Sequence, residues 1–427
     1  MQTNLADFVK KNPNSPEAEA IIRSCVHCGF CLATCPTYQL LGDELDSPRG
    51  RIYLMKQVLE GQAVTQKTQL HLDRCLTCRA CETTCPSGVR YSHLLDITRG
   101  IVEEKVGRTR DSSIKRFVIR KFLTSKTLFK LSVRISQLMQ FLLPAKLKAA
   151  IPKLHPEISE WPATDHSRKM LVLDGCVQPT LAPNINTATA RVLDKLGISL
   201  MKAKEAGCCG ALAYHLNAQQ EGLDAMRHNI DIWWPFIETH QIEAIVISAS
   251  GCGVTVKEYG HFLQHDTVYA EKAKHIASLA KDISEIIAAE ITRLAALLNH
   301  SPIDHPSKLA FHSPCTLQHG MKIRGVVEKI LNSTGITLCQ VDNAHLCCGS
   351  AGTYSILQPE LSQQLLKDKV QALTTNTPDQ IVTANIGCLM HIQSGTNLPV
   401  KHWIEFLDEL IDAQASTHST THPKYPT

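Results

Sequence analysis

The second half of the chain alternates short apolar runs with longer segments of helical periodicity. Short apolar runs bounded by glycine predict buried strands, and apolar residues three and four apart predict helices. Strands that alternate with helices favour a parallel α/β layer, whose functional loops lie at the carboxyl ends of the strands. From about residue 168 the predicted elements are strand 170–173, helix 187–196, strand 198–203, helix 217–238, strand 244–248 and a long helix over 271–298.

The same order of elements then recurs. The predicted elements of this second part are strand 309–311, helix 323–333, strand 336–341, helix 359–374 and strand 380–384. The cysteines recur with it at a nearly constant offset, which is 139 residues from Cys176 to Cys315 and 136 from Cys252 to Cys388. Such an offset indicates an internal duplication. We therefore predict two α/β lobes, 168–300 and 301–427.

The first 107 residues have a different, helical pattern. Residues 15–24 and 91–106 predict helices, and Ser47 followed by Pro48 predicts the start of another that ends at Gly61. We expect residues 1–107 to form an α-helical domain, with helices rather than β-hairpins beside its cysteines.

Two cysteine runs dominate this domain. Each has the spacing C-x₂-C-x₂-C-x₃-C-P, that of the bacterial ferredoxins, in which three cysteines bind one [4Fe–4S] cluster and the fourth binds the other. We therefore expect an α-helical two-cluster ferredoxin domain. The expected ligands are Cys25, Cys28, Cys31 and Cys85 for one cluster, and Cys75, Cys78, Cys81 and Cys35 for the second.

Zinc and disulfides explain these runs less well. A zinc site needs four sulfurs and has no use for the third and fourth cysteine of each run. A chain of 427 residues has room for its own cores and needs no disulfide framework.

Each lobe carries a lone cysteine, a Cys-Cys-Gly turn and a later cysteine. The glycine permits a backbone turn that other residues resist, so that both neighbouring thiols can face one centre. Four converging thiols suggest a further cluster or a zinc ion, whereas buried free cysteines would be plain packing. The eight residues are Cys176, Cys208, Cys209, Cys252, Cys315, Cys347, Cys348 and Cys388.

Other residues near the cysteines are given lesser roles. Cys339 has no counterpart and is interpreted as a core residue in a strand. Five histidines are interpreted as surface residues or hydrogen-bond partners rather than as ligands. They are His27, His71, His312, His345 and His391.

Between the domain and the lobes lies a basic linker, 108–167. Its part 115–153 holds ten Lys or Arg and no Asp or Glu, interleaved with apolar residues at helical spacing. A basic amphipathic helix is typical of a segment on an anionic membrane, but a helix docked on a partner or on the next lobe has the same face. Four prolines, Pro144, Pro152, Pro156 and Pro162, predict a boundary.

Composition excludes several classes of function. A net charge of +4 is too small to indicate nucleic-acid binding. The sequence has no signal-peptide pattern, no apolar stretch long enough for a membrane span and no glycine-rich dinucleotide or P-loop motif. Clusters carry single electrons, so a flavin in another subunit is expected for two-electron chemistry.

The sequence resembles the iron–sulfur subunits of glycolate oxidase, lactate-utilisation complexes, anaerobic glycerol-3-phosphate dehydrogenase and heterodisulfide reductase. The detail is most similar to glycolate oxidase. The matching stretches include CVHCGFCLATCPTYQLLGDELDSPRGRIYLMKQVLEG (25–61), DRCLTCRACETTCPSGVRY (73–91), EAGCCGALAYHLNA (205–218) and HLCCGSAGTYSI (345–356).

That resemblance implies a non-catalytic electron-transfer subunit at the cytoplasmic face of the membrane. It implies two flavoprotein partners that carry FAD and oxidise glycolate to glyoxylate, and a quinone as acceptor. The alternatives are the corresponding subunit of a lactate or glycerol-3-phosphate dehydrogenase, or a thiol–disulfide reductase. Heterodisulfide-reductase lobes end in C-x-x-C, whereas Ala249 and Asn385 replace the first cysteine of that pair here.

Overall fold

The N-terminal part of the protein is helical. The computed structural model describes residues 1–142, 160–298 and 308–419, and residues 1–142 contain no strand. The helices of residues 1–107 are α1 (Asp7–Lys10), α2 (Ser15–Ser24), α3 (Pro36–Leu41), α4 (Pro48–Leu59), α5 (Gln66–Asp73), α6 (Ala80–Thr84) and α7 (Tyr91–Val106).

Helix α4 begins where the sequence predicts it. The Ser47 hydroxyl accepts a hydrogen bond from the Gly50 amide at 3.0 Å, and Pro48 occupies the first turn. A Cβ added to Gly50 would lie 1.9 Å from the Glu44 carbonyl oxygen, so only glycine lets the turn before the helix pack this closely. The predicted bounds of α2 and α7 agree with the structure as well.

The basic linker forms two helices, α8 (Arg110–Thr124) and α9 (Lys126–Leu138). One side of the pair is docked, because Phe129 and Val133 of α9 are buried in the core of the lobes. The predicted basic segment beyond residue 142, with Lys146, Lys148, Lys153 and the prolines at 144, 152 and 156, lies outside the described residues. Across the described residues, the helices are all too short or too polar to cross a bilayer.

The first lobe contains a four-stranded parallel sheet in the order β2–β1–β3–β4. The strands are β1 (Arg168–Val172), β2 (Ile198–Lys202), β3 (Ile245–Ile247) and β4 (Ala280–Asp282). The helices are α10 (Gln178–Leu181), α11 (Asn184–Lys195), α12 (Ala211–His215), α13 (Gln219–His240), α14 (Ser250–Lys257), α15 (Tyr259–Phe262), α16 (Ala270–Leu279), α17 (Ile283–Ala289) and α18 (Ile291–Leu298).

The prediction of one long helix over 271–298 is wrong. Strand β4 interrupts it, and Ile247 of β3 pairs with Asp282. Asp282 then starts α17, because its carboxylate accepts from the Ser284 amide while Glu285 accepts from the Asp282 amide. The helical spacing of apolar residues on both sides of this break concealed it.

The second lobe contains a three-stranded parallel sheet in the order β5–β6–β7. Its strands are β5 (Leu309–His312), β6 (Gln380–Thr383) and β7 (Val400–His402). Its helices are α19 (Val326–Ser333), α20 (Tyr354–Leu357), α21 (Pro359–Thr374), α22 (Ile386–Gln393) and α23 (Trp403–Ser419), and a π-helical turn spans Thr316–Gly320.

The predicted strand 336–341 is reduced to a single bridge between Leu309 and Leu338. Cys339 is therefore not in a strand. Its amide donates to the Leu309 carbonyl at 2.8 Å, and its half-buried side chain packs against the edge of the core.

A continuous hydrophobic core passes through both lobes. It includes Ile185 and Leu193 from α11 together with Trp403 and Leu407 from α23. Helix α23 thus covers the first lobe as well as its own sheet. This shared core fixes the edges of the two sheets, and the cysteine loops that follow them, relative to each other.

Candidate metal centres

The first cysteine set lines one small cavity in the helical domain. Cys25, Cys28, Cys31 and Cys85 all contribute to its wall, as do Cys81 and Tyr91. Cys28 is exposed, whereas Cys25 is buried. The fourth cysteine of the second run thus lies in the same cavity wall as the first three cysteines of the first run.

The second cysteine set lines a neighbouring cavity. Cys35, Cys75, Cys78 and Cys81 lie in its wall. Pro48, Cys81 and Tyr91 line both cavities, so only a single layer of residues separates them. Among the described residues no carboxylate lines either cavity, and all seventeen cysteines are free. Four soft sulfur donors without competing oxygens fit an iron–sulfur cluster in each cavity.

The two loops have the same backbone. His27 and Gly29 of the first run have positive φ angles of 57° and 86°, and Thr77 and Arg79 of the second run have 53° and 60°. These left-handed residues fold each loop back, so that its sulfurs point inward. Arg79 occupies the position at which the first run has Gly29. It adopts the same left-handed conformation although it carries a side chain.

Burial controls the pKa values of the free thiols. Desolvation raises the pKa of Cys31 to about 11, and it raises the pKa of Cys78 and Cys81 well above the usual range. Neighbouring thiols add to this effect, as Cys85 and Cys28 do for the pKa of Cys25. A bound cation would offset this cost, because thiolates are the form that binds metal.

A buried charge network lies beside the second set. Arg51, only 1% exposed, lies in the wall of that cavity, and its guanidinium is 3.0 Å from an oxygen of the equally buried Asp46. It also donates to the Thr37 hydroxyl at 3.0 Å and to the His71 carbonyl at 2.7 Å. Burial by itself would lower the pKa of Arg51, but the nearby Cys75, Tyr91 and Cys35 outweigh this effect and raise the pKa. The cavity therefore has a fixed positive charge next to it.

The cysteines of both lobes lie around a third cavity of about 340 Å³ between the lobes and the helical domain. Seven of the eight lobe cysteines line it: Cys176, Cys208, Cys209, Cys252, Cys315, Cys347 and Cys388. Cys252 and Cys388 lie in the first turns of α14 and α22. Cys75 and Cys78 of the second set line the same cavity.

The Cys-Cys-Gly turns are nearly identical in the two lobes. Gly210 has φ 90° and Gly349 has φ 91°. A Cβ on Gly210 would lie 2.5 Å from the Gly222 carbonyl oxygen, and one on Gly349 would lie 2.6 Å from that of Ser362. The predicted need for glycine after the cysteine pair is confirmed, and close packing adds to it.

The second lobe has polar groups beside its thiols that the first lobe lacks. His312, Cys348 and Cys388 have donor atoms within 4.8 Å of one another. The Asn385 side-chain amide lies 3.5 Å from the Cys388 sulfur. At the matching places in the first lobe the sequence has Leu173 and Ala249. His312 thus lies among the thiols, and its Nδ1 is a hydrogen-bond partner of the Thr383 hydroxyl at 3.0 Å.

Sequence reasoning missed the contacts that join the helical domain to the first lobe. Arg79 forms a bidentate ion pair with Glu258, at 2.5 and 2.6 Å. His93 lies 2.9 Å from Glu17 and 3.5 Å from Glu258, and it stacks on His261. These partners are up to 179 residues apart in sequence, so no local spacing could indicate them.

Together these features define an iron–sulfur protein with a two-cluster helical domain and a duplicated cysteine-rich domain. Residues 21–89 match the 4Fe-4S dicluster domain, and residues 170–257 and 309–393 match the Cysteine-rich domain. A solved structure of a hypothetical protein from Helicobacter pylori has a similar fold, with a TM-score of 0.54 at 8% identity over 95% of this chain and 74% of that one.

Curated relatives give a finer match. The glycolate oxidase iron-sulfur subunit of Escherichia coli (strain K12) is 53% identical over 97% of this chain and 100% of its own length. The probable glycolate oxidase iron-sulfur subunit of Bacillus subtilis (strain 168) is 29% identical over 88% and 89%. Lactate utilization protein A of Exiguobacterium is 28% identical over 55% and 94%. The chain belongs to the family of glycolate oxidase iron–sulfur subunits.

Proposed function

We propose that this chain is the electron-transfer subunit of a flavin-dependent glycolate oxidase. In this proposal two flavoprotein partners, which hold the FAD, oxidise glycolate to glyoxylate. The chain itself binds no organic substrate and passes electrons towards a quinone. The identity to the Escherichia coli subunit supports the choice of glycolate over lactate.

In this proposal Cys25, Cys28, Cys31 and Cys85 hold one [4Fe–4S] cluster, and Cys75, Cys78, Cys81 and Cys35 hold the other. A bound cluster takes up and releases one electron at a time. The chain's own residues hold the positive charge of Arg51 beside the second site.

The order of the three cavities is the observation that carries the proposal. The first and second cavities share Cys81, and the second and third share Cys75 and Cys78. This series leads from the exposed Cys28 to the space between the lobes. An electron can thus pass from the first cluster site to the second across one layer of side chains, and the second site borders the space between the lobes.

The surface around Cys28 suits a flavoprotein partner. Val26, Phe30 and Tyr53 are exposed there, Val26 by 67%. Exposed apolar side chains over a redox site favour a docking surface, because a partner that covers them also brings its cofactor near the sulfurs. We therefore assign electron entry to the first cavity.

The linker helices have a surface that is suited to contact with a membrane. Arg116 and Arg120 of α8 are paired with Asp73 and Glu221, which fixes one side of the helix on the protein. The other side of α8 and α9 is apolar and exposed: Ile114, Phe117, Val118, Phe122, Leu128, Leu131, Ile135 and Leu138, followed by Met139 and Phe141. We propose that it lies on the cytoplasmic face of the membrane, where the quinone is available.

The electron-transfer role is tested by changing Cys28 to Ser in the complex with the flavoprotein subunits. Glycolate should still reduce a soluble dye at the flavin, but reduction of quinone should fall at least about a hundredfold, and EPR should show loss of one cluster signal. Cys339→Ser is the matched control, since that thiol belongs to no set. Normal quinone reduction by the Cys28→Ser complex would refute the assignment.

A further inference from the structure

The second lobe contains a compact group of one nitrogen and two sulfur donors. A ring nitrogen of His312 and the sulfurs of Cys348 and Cys388 lie within 4.8 Å of one another, and all three residues are buried. Strand β5 supplies His312, the Cys-Cys-Gly turn supplies Cys348, and the first turn of α22 supplies Cys388. Three separate elements thus bring metal-binding groups to one point.

His312 is oriented like a metal ligand. Its Nδ1 lies 3.0 Å from the hydroxyl of Thr383, a buried residue of the neighbouring strand β6. The tautomer that donates from Nδ1 leaves the lone pair of Nε2 free. Within the described part of the chain, the buried Nε2 has no hydrogen-bond partner. An unpaired buried nitrogen is costly, whereas a histidine held through one nitrogen commonly binds a metal through the other.

The distances favour a single ion over a cluster. Tetrahedral zinc has sulfur ligands at about 2.3 Å and nitrogen ligands at about 2.0 Å, which places the donors of one ion roughly 3.5–3.8 Å apart. In a cubane cluster each cysteine binds a different iron, so that its sulfurs lie farther apart. A mixed nitrogen and sulfur set is also typical of zinc.

The surroundings suit a site with two thiolates. The Lys369 side chain, 3% exposed on α21, interacts electrostatically with Cys347, Cys348 and Cys388, and its amine donates to the Asn343 carbonyl at 2.9 Å. The Asn385 amide lies 3.5 Å from the Cys388 sulfur. Both groups offset negative charge on the thiolates.

We propose that His312, Cys348 and Cys388 bind a zinc ion in the second lobe. Cys347, whose thiol contacts that of Cys348, is the protein donor available for the fourth position. The first lobe has leucine at the place of His312, so the duplicated lobes are not equivalent as metal sites. The zinc site uses none of the eight ferredoxin cysteines, although Cys347 and Cys388 also line the third cavity.

Zinc analysis of the full-length chain, purified anaerobically after growth with added zinc, tests this site. We expect about one zinc per chain, and X-ray absorption at the zinc edge should show both sulfur and imidazole scattering. His312→Gln should remove the imidazole contribution and lower zinc affinity at least about tenfold. Thr383→Val, which removes the partner of Nδ1, should lower it about 10–100-fold.

His391→Gln is the matched control. His391 lies on the same helix as Cys388, but its Nε2 already pairs with the Ser362 hydroxyl at 3.1 Å. Zinc content and spectrum should not change in this variant. The proposal is overturned if the wild-type chain contains no zinc, or if His312→Gln keeps a spectrum identical to that of the wild type. Cluster EPR, measured on the same samples, reports the electron-transfer role separately.

Discussion

At the scale of single residues, Arg51 links the stability of the helical domain to its redox properties. Its buried positive charge lies beside the second cysteine set and pairs with Asp46. Arg51→Gln should lower the reduction potential of the second cluster, since a nearby positive charge favours the reduced, more negative state. The variant should also lose roughly 1.5–3 kcal/mol of stability, because Asp46 loses one buried charged partner but keeps Arg74 at 2.8 Å.

Redox titration followed by EPR measures the first effect, and denaturant unfolding measures the second. Arg51→Lys separates the two effects. It keeps the positive charge but loses the forked guanidinium group that donates to Thr37 and His71. The Arg51→Lys variant should have a reduction potential close to that of the wild type, but it should be less stable. An unchanged potential in a folded Arg51→Gln protein would contradict the role of the charge.

The Cys-Cys-Gly glycines give a second prediction at this scale. Gly349→Ala should destabilise the second lobe by about 2–4 kcal/mol, since it combines a left-handed backbone with a Cβ 2.6 Å from the Ser362 carbonyl oxygen. Gly352→Ala is the control, because Gly352 also has a positive φ of 64° but no atom near its Cβ position. It should cost about 1 kcal/mol in the same unfolding experiment. Equal losses would show that the close approach is unimportant.

The cysteines could be predicted from sequence because cluster ligands follow a fixed local spacing. Sequence reasoning left out the contacts of Arg79 and did not place His312 beside Cys348 and Cys388, because the fold brings these partners together. Arg79 occupies a place in its loop where the first run has glycine, and Glu258 in the first lobe stabilises it there. His312 lies three residues before Cys315, yet its nearest donors are Cys348 and Cys388.

At the scale of elements, five of the seven strands in the described residues were predicted, but β4 and β7 were not. Ser47–Pro48 marks α4, and the bounds of α21 agree with the predicted 359–374. Strands β4 and β7 have only three residues each. They are defined by their pairing with β3 and β6 and not by a pattern in their own sequences. The 271–298 prediction failed for this reason.

The linker helices give a prediction at the same scale. The chain should bind vesicles that contain anionic phosphatidylglycerol more strongly than neutral ones, and salt should weaken the binding. The double variant Leu131→Glu, Leu138→Glu should reduce binding roughly a hundredfold, since each buried leucine contributes about 1.5 kcal/mol. Leu138 is 75% exposed, so the protein should still fold.

Vesicle co-sedimentation measures this binding. Val268→Glu is the matched control, because Val268 is 69% exposed but lies in the first lobe, away from the linker helices. Equal binding by the double variant and the wild type would refute membrane contact through these helices. It would favour instead a protein partner on the same apolar face.

At the scale of the whole molecule, ionisable groups hold the helical domain against the first lobe. His93 on α7 lies between Glu17 of α2 and Glu258 of the first lobe, and it stacks on His261 with ring centres 3.9 Å apart. Burial alone would lower the pKa of His93, but the two carboxylates outweigh it and raise the pKa from 6.5 to about 9. Burial and the neighbouring His93 lower the pKa of His261.

The sign of the pH dependence follows from this arrangement. A histidine whose pKa is raised on folding stabilises the fold fully below its unfolded value of 6.5, and this stabilisation is lost as the pH rises through about 9. The bidentate pair of Arg79 with Glu258 does not involve His93, and Arg90 lies 3.7 Å from Glu17. Above pH 9 the contact between the helical domain and the first lobe should therefore become weaker, but the two parts should stay together.

Hydrogen exchange, corrected for intrinsic rates, tests this on amides of α2, α7 and α15. Protection should fall about tenfold or more between pH 6.5 and 9.5, since one pKa unit corresponds to about 1.4 kcal/mol. His93→Gln should start with lower protection and show little further loss over this range. His275→Gln is the control, because His275 lies on α16 and contacts only Trp234 among the aromatic rings of the described residues. Equal losses in the wild type and His93→Gln would mean that another group controls the interface.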